Sequence, residues 1–489
     1  MNVEQKRIIW ISVILFLVVG VFYSLGLGSG THFHYDEFHT MERSSGFLKF
    51  NDWWAVFTQN HISAQKPPLQ YWLTAINFKL GLNEFLALRI WSFVFLFCSY
   101  ICVGLLAKEL SNGNSWSLPA GILMAACSTI LIKHGRSAML DAGMSFFMLA
   151  AFLGFLYAKR DERWWVFCGI FIGLGALQKA PVSLLLIAFM LFFLNKKNDE
   201  CYQWSILRNN RYFNIGFYIA LGMSVFWPIL QSFRMGREYA SEFNKQVLKR
   251  FSPFGDERMT NFDFLKWVDW LFQDMGFLAI PLLCAVPILV LRKSFRNNNA
   301  HFAFALIVMV IMFAFTLATG SIYSRYLVIL TPLLIVLLLK LISDLTPWKP
   351  TVLVVSMLSF LLSLPSIHSA LVFTNASDSY YRAKLIVELV DSYIDESDHL
   401  AVDRKHLPLG AYGYFSDNKS HFSGVVIREK NDYKAWGRLF GQDNKSSVLG
   451  VAASHRDKIL EQIGTGLNIS YTELYRDADT IIWRYSSIK

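Results

Sequence analysis

Residues 6–42 read KRIIWISVILFLVVGVFYSLGLGSGTHFHYDEFHTME. Lys6 and Arg7 precede an uncharged run from Ile8 to Leu27, and the chain then turns polar and acidic at Asp36 and Glu37. A helix needs ~20 apolar residues to cross a bilayer, and cations flanking such a run mark its cytoplasmic end. A cleaved signal peptide would start the same way, but this run is too long and lacks a small-residue cleavage site, so it is read as a retained span. The acidic segment that follows then lies on the outer side of the membrane.

The same pattern recurs downstream. Apolar runs fall at 87–107, 117–132, 138–157, 164–178, 181–194, 213–233, 273–291, 301–318, 326–343 and 350–370. Taken in alternation, every short basic cluster falls inside: Lys108; Lys159, Arg160 and Arg163; Lys196, Lys197, Arg208 and Arg211; Arg292, Lys293 and Arg296; Lys349. The long segment 28–86, the turns near 134, 179 and 322, segment 234–272 and the tail after 370 fall outside. Composition agrees, with 54% hydrophobic and only 17% charged residues, against about 25% charged in soluble domains. The net charge of +10 therefore points to topology and anionic headgroups, not to nucleic acid. Six cysteines in or beside apolar runs imply no disulfide framework. The tail changes character: a helical run (383–394) alternates with strand-like runs at 400–402, 425–427, 447–451 and 480–485, a small α/β pattern. The expected domains are a membrane domain over 1–372, whose first outer loop 28–86 carries the main motifs, and an outer α/β domain over 373–489.

The informative residues are charges close to the bilayer on the outer side: Asp36, Glu37, Lys66, Arg136, Asp141, Lys179 and Arg325, the last followed by Tyr326. An ionisable group there is costly unless solvated or paired. Each alone is explained by snorkelling or a structural ion pair; the set together is harder to explain so. Cations at a membrane surface suit a lipid phosphate, and a nearby carboxylate can orient or deprotonate an acceptor as that phosphate departs. No P-loop, GxGxxG or HExxH pattern is present, so nucleotide hydrolysis, dinucleotide redox chemistry and metalloprotease chemistry lack support. His32, His34 and Asp36 would share one side of an extended segment and form an alternative divalent-metal site; otherwise no cofactor is required. The aromatics Trp53, Trp54, Trp72 and Trp91 read as interfacial anchors.

Three strings carry a family resemblance: Tyr35-Asp36-Glu37-Phe38-His39-Thr40-Met41-Glu42, Gln65-Lys66-Pro67-Pro68-Leu69-Gln70-Tyr71-Trp72-Leu73 and Asn83-Glu84-Phe85-Leu86-Ala87-Leu88-Arg89. In order and spacing they resemble the first outer loop of the ArnT-like and protein-mannosyltransferase-like glycosyltransferases. Arg136-Ser137-Ala138-Met139-Leu140-Asp141 and Gly175-Ala176-Leu177-Gln178-Lys179-Ala180-Pro181 resemble later motifs of that family. In the tail, Leu407-Pro408-Leu409-Gly410-Ala411-Tyr412 is similar to the start of the outer domain of its aminoarabinose-transferase branch.

The resemblance implies a GT-C fold of about 11–13 transmembrane helices with a small periplasmic α/β domain, in a bacterial inner membrane. It implies an inverting glycosyltransferase that moves a sugar, such as 4-amino-4-deoxy-L-arabinose, from a polyprenyl-phosphate donor to lipid A phosphate or another envelope acceptor. Carried over, Asp36 is the principal carboxylate, Asp141 a second acidic site and Lys66 a phosphate ligand, with Glu37, Arg136 and Lys179 in support. Where the family often has Arg three residues after the first Asp, this chain has His39, a weaker cation. A protein O-mannosyltransferase-like or envelope-glycan transferase is the nearest alternative. A lipid or sugar flippase is the alternative of another class, disfavoured because the charges gather at one face and not at the midplane.

Overall fold

The computed structural model describes residues 3–28, 35–58, 61–63, 66–179, 207, 209–243, 266–292, 299–317, 323–373, 379–395, 398–403, 406–416, 422–426, 447–453, 461 and 470–486. The chain forms two compact units: Met1–Gly28, Ala64–Leu73 and Leu82–Thr374 make the first; Ser29–Ser63, Thr74–Gly81 and Asn375–Lys489 make the second.

Among the described residues of the first unit, seven helices are long and apolar enough to cross a membrane: Val3–Ser24, Glu84–Leu110, Leu140–Ala158, Arg211–Met235, Lys266–Leu291, Ser324–Leu345 and Thr351–Leu371. The bent pair Ser117–Ala126 and Thr129–Gly135 and the shorter Trp164–Gln178 and Phe304–Phe313 fall on further expected runs. The run 181–194 lies outside the described residues. This is a polytopic membrane protein. Lipid gives helices no hydrophobic reason to associate, so contact depends on close packing. Helices Trp164–Gln178 and Arg211–Met235 meet at Gly169 and Gly216, where a Cβ on Gly169 would lie 2.6 Å from the Cα of Gly216.

One expected span is not continuous. The run 117–132 breaks after Ala126 and bends by 76° before Thr129. Ser128 is extended, and its hydroxyl caps the second helix by accepting from the Leu131 N–H at 3.1 Å. The deeper cause lies on another helix. Asp274, fully buried, accepts from the Ile130 N–H (2.8 Å) and from the hydroxyls of Ser128 (2.9 Å), Thr129 (3.2 Å) and Thr331 (3.3 Å). A buried carboxylate is tolerated only when so satisfied, and its charge suits a helix N-terminus.

The second unit gathers a helix, Tyr35–Lys49, with a β hairpin and the tail. In the hairpin, β1 (Phe57–Thr58) pairs antiparallel with β2 (His61–Ile62), and Arg43 Nε donates to Thr58 Oγ1 at 3.1 Å. The tail supplies helix Ser379–Tyr393, β3 (Asp398–Val402), helix Leu409–Phe415, β4 (Phe422–Val426), β5 (Ser447–Ala453), β6 (Ser470–Arg476) and β7 (Thr480–Ser486). The five tail strands run in the order β4-β3-β5-β7-β6; β3 is parallel to β4 and β5, and β7 is antiparallel to β5 and β6. The central β5 is apolar after Ser447 and β7 carries the apolar run Ile481–Trp483; both strands are largely buried, as strands covered on both faces require. β6 is a polar, largely exposed edge that has no counterpart among the strand-like runs read from sequence. Arg484 of β7 donates to Asp398 Oδ2 (2.8 Å) and the Tyr393 carbonyl (2.6 Å), which ties the sheet to helix Ser379–Tyr393.

Candidate active site

In the first unit, the chemistry-bearing residues stand at helix ends. Asp141 opens helix Leu140–Ala158, where the N-terminal partial positive charge favours a carboxylate. Lys179 follows helix Trp164–Gln178 in an extended conformation, its N–H returned to the Gly175 carbonyl at 3.1 Å. Buried Asp141 and half-buried Lys179 form a direct ion pair. Lys179 Nζ also lies 4.7 Å from the Tyr326 ring centre. Arg325 extends the group, its guanidinium 4.9 Å from the Tyr323 ring and 5.9 Å from Tyr326. Aromatic faces hold cations with little hydration, so this is a partly desolvated array of two cations, a carboxylate and two tyrosines.

A buried amide network sets the register of these ends. Gln178 Nε2 donates to Gln70 Oε1 (2.9 Å) and to the Leu140 carbonyl (3.1 Å). Gln70 Nε2 reaches Ser92 Oγ at 3.4 Å, and Ser92 donates to the Met139 carbonyl at 3.0 Å. Gln70 lies four residues past Lys66, Gln178 immediately precedes Lys179, and Leu140 precedes Asp141. The network therefore clamps the three segments carrying Lys66, Asp141 and Lys179. Pro67 and Pro68, with fixed φ, stand between the half-buried Lys66 and the helix starting at Leu69.

Arg136 is occupied differently. It caps helix Thr129–Gly135 and its guanidinium donates to the Leu25 carbonyl, while Arg89 donates to the Leu27 carbonyl at 3.3 Å. Both buried arginines thus serve carbonyls just past the first span, the negative end of its dipole.

Asp36, Glu37 and His39 belong to the second unit. Asp36 and Glu37 occupy the first turn of helix Tyr35–Lys49, Asp36 half-buried and Glu37 fully buried. His39 Nδ1 lies 3.6 Å from Glu42 Oε2, one turn along the same helix. The extended geometry that would align Asp36 with His32 and His34 does not hold: Asp36 is helical, and both histidines lie outside the described residues. Among the described residues, no three His, Cys, Asp or Glu are grouped to hold a metal ion.

Four residues whose hydrogen bonds hold these segments are absent from the site candidates read from sequence: Gln70, Gln178, Arg89 and Asp274. Each is a polar residue in or beside an apolar run, a signal that marks burial but gives no partner.

Residues 65–228 match the family model described as dolichyl-phosphate-mannose-protein mannosyltransferase. An uncharacterized protein of Aquifex aeolicus is 24% identical over 48% of this chain, and the chain spans about half of that relative's length, 47%. The undecaprenyl phosphate-alpha-4-amino-4-deoxy-L-arabinose arabinosyl transferase 1 of Pseudomonas fluorescens is 24% identical over 80% of this chain and 68% of its own. Among solved structures, ArnT from Cupriavidus metallidurans bound to undecaprenyl phosphate superposes with a TM-score of 0.64 at 16% identity, covering 96% of this chain and 97% of that one. Its apo form gives a TM-score of 0.67 at 14% identity with the same coverage. The chain therefore shares the GT-C fold of the ArnT structures over nearly its whole length, and its segment 65–228 is similar to the mannosyltransferase family model.

Proposed function

We propose that this protein is an inverting glycosyltransferase that takes a sugar from a polyprenyl-phosphate donor and transfers it to an envelope acceptor on the periplasmic side of a bacterial inner membrane. The observation that carries the reading is the array of Lys179, Arg325, Asp141 and Tyr326, held in register with the Lys66 segment by Gln70 and Gln178. Two cations against aromatic faces match the headgroup of a lipid phosphate whose tail lies among the helices. The basic clusters on alternate loops support the periplasmic orientation. In this reading residues 1–372 form the membrane domain and 373–489 the outer domain.

The acceptor oxygen attacks the anomeric carbon opposite the phosphate, so configuration inverts. The bond from that carbon to the phosphate oxygen breaks, and its electron pair leaves on polyprenyl phosphate. Lys179, Arg325 and Lys66 offset the charge gained, which removes the need for an acid. Lys179 must then exchange part of its contact with Asp141 for the phosphate. Arg136 supports the site from behind, through the end of the first span. If the acceptor is a hydroxyl, Asp36 takes its proton as the new bond forms, with Glu37 and His39 as neighbours. If it is a phosphate, the nucleophile is already anionic, and Asp36 instead stabilises positive charge on the sugar ring.

The name and coverage of the Pseudomonas fluorescens relative make 4-amino-4-deoxy-L-arabinose on undecaprenyl phosphate the first donor to test; the resemblance of the tail string Leu407–Tyr412 to the aminoarabinose-transferase branch makes lipid A phosphate the first acceptor. Mass spectra of lipid A from cells with and without this protein test both. The expected result is a protein-dependent mass increment of one aminopentose on a lipid A phosphate; spectra that do not differ exclude lipid A as acceptor in that host.

A further inference from the structure

The second unit joins the carboxylate-bearing helix Tyr35–Lys49 to the C-terminal tail at unusually short range. A Cβ on Gly410 would sit 2.5 Å from the Phe38 carbonyl carbon and 2.6 Å from the His39 nitrogen. One helical turn later, a Cβ on Gly413 would collide with the Glu42 carboxylate, 2.5 Å from its Cδ. Side chains bury the rest of the seam: Phe38, Met41, Leu407, Ala411 and Tyr412 are essentially inaccessible. Glu42, pressed against Gly413, is also the partner of His39.

Successive residues on a helix are rotated by about 100°, so Phe38 and Glu42 share one side while Asp36, Thr40 and Arg43 share another. The tail helix Leu409–Phe415 is thus seated on a side of helix Tyr35–Lys49 other than the one carrying Asp36. A contact made to backbone atoms fixes a helix more tightly than one made through flexible side chains, because nothing between them can yield.

We propose that Gly410 and Gly413 are positioning residues, through which the C-terminal domain sets the placement of Asp36. The proposal rests on the reading of Asp36 as the principal carboxylate. Gly410 acts directly on the backbone at Phe38 and His39; Gly413 acts through the Glu42 side chain. The two routes make different demands on a suppressor: truncating Glu42 removes the atoms that an alanine at 413 would meet, whereas no side-chain truncation relieves an alanine at 410.

The test uses full-length protein in lipid nanodiscs, with transfer from a polyprenyl-phosphate sugar donor followed in Gly410→Ala, Gly413→Ala, Glu42→Ala and the double variant Gly413→Ala/Glu42→Ala. Asp36→Asn is run beside them. Displacement of a reacting group by about an ångström costs on the order of a hundredfold, so kcat should fall by that order in both glycine variants while donor KM stays unchanged. Glu42→Ala should restore Gly413→Ala to the level of Glu42→Ala alone and leave Gly410→Ala unrescued. Hydrogen exchange on the intact chain should show helix Tyr35–Lys49 still protected. Wild-type kcat in both glycine variants, or no rescue by Glu42→Ala, overturns the positioning role when Asp36→Asn is inactive. Wild-type turnover in Asp36→Asn instead overturns the reading of Asp36.

Discussion

Replacing Lys179 with methionine separates its ion pair with Asp141 from the phosphate contact proposed for it. Asp141 is buried, and its only ion-pair partner among the described residues is Lys179. Removing one member of a buried pair leaves an uncompensated charge and costs ~3–5 kcal/mol. Replacing both members by neutral groups of similar volume costs far less and is often neutral. Lys179→Met should therefore destabilise the membrane unit by several kcal/mol, and Asp141→Asn/Lys179→Met should recover most of that loss. Donor binding should not recover. A charge-assisted contact to phosphate contributes ~1.5–3 kcal/mol, and each 1.4 kcal/mol is about tenfold in affinity, so donor affinity should stay about ten- to a hundredfold weaker. Urea or thermal unfolding in nanodiscs reads the first effect, and donor titration reads the second. A double variant that is both stable and wild-type in donor affinity would reduce Lys179 to a structural ion partner and refute the phosphate assignment.

Three further outcomes follow from other contacts. Gln178→Leu leaves Gln70 Oε1 without its donor, a cost of ~1–3 kcal/mol, and removes the tie to the Leu140 carbonyl; unfolding should report this loss, and donor KM should rise as the segments of Lys66 and Lys179 lose register. Asp274→Leu removes the acceptor from three hydroxyls and the Ile130 N–H, so it should destabilise more than Asp274→Asn, which keeps one oxygen; equal melting temperatures would show that the bend at Ser128 does not depend on Asp274. In the tail, burial, and after it the charge of Arg382, lowers the His406 imidazole from its usual value to about 4. The unfolded chain binds that proton near pH 6.5 and the folded chain only near 4, so the contribution is complete above 6.5 and is lost as pH falls through that window. Hydrogen exchange of β3 and β7 should quicken from pH 7 to 4, after correction for intrinsic rates, more in the wild type than in His406→Gln.

Much of this was legible in the sequence because lipid imposes a simple rule: spans must be apolar and about 20 residues long. The positions of Asp36, Lys66, Asp141 and Lys179 stood out because charge is costly beside such spans. The break at Cys127–Ser128 was hidden, since hydropathy averages over a bend and the residue that stabilises it, Asp274, lies 146 residues away along the chain from Ser128. The segment at Asp36 read as polar loop because its helix owes its stability to packing by Phe38 and Met41, and not to a long periodic apolar face. The tail strands behaved likewise: the apolar runs in β5 and β7 were visible, whereas β6 is polar and held mainly by its ladder to β7. Gly410 stood in a recognisable string, but only the backbone of helix Tyr35–Lys49 against it explains why a side chain is excluded there.

The most direct test of the central claim is transfer of a labelled sugar by the purified, full-length protein from a polyprenyl-phosphate sugar, with wild type, Asp36→Asn and Lys66→Ala compared on the same acceptor. Wild-type protein should transfer the sugar with inversion at the anomeric carbon, Asp36→Asn should lose nearly all transfer to a hydroxyl acceptor, and Lys66→Ala should use the donor more weakly. Transfer that is retained in Asp36→Asn on both hydroxyl and phosphate acceptors, or that proceeds with retention of configuration, would contradict that claim.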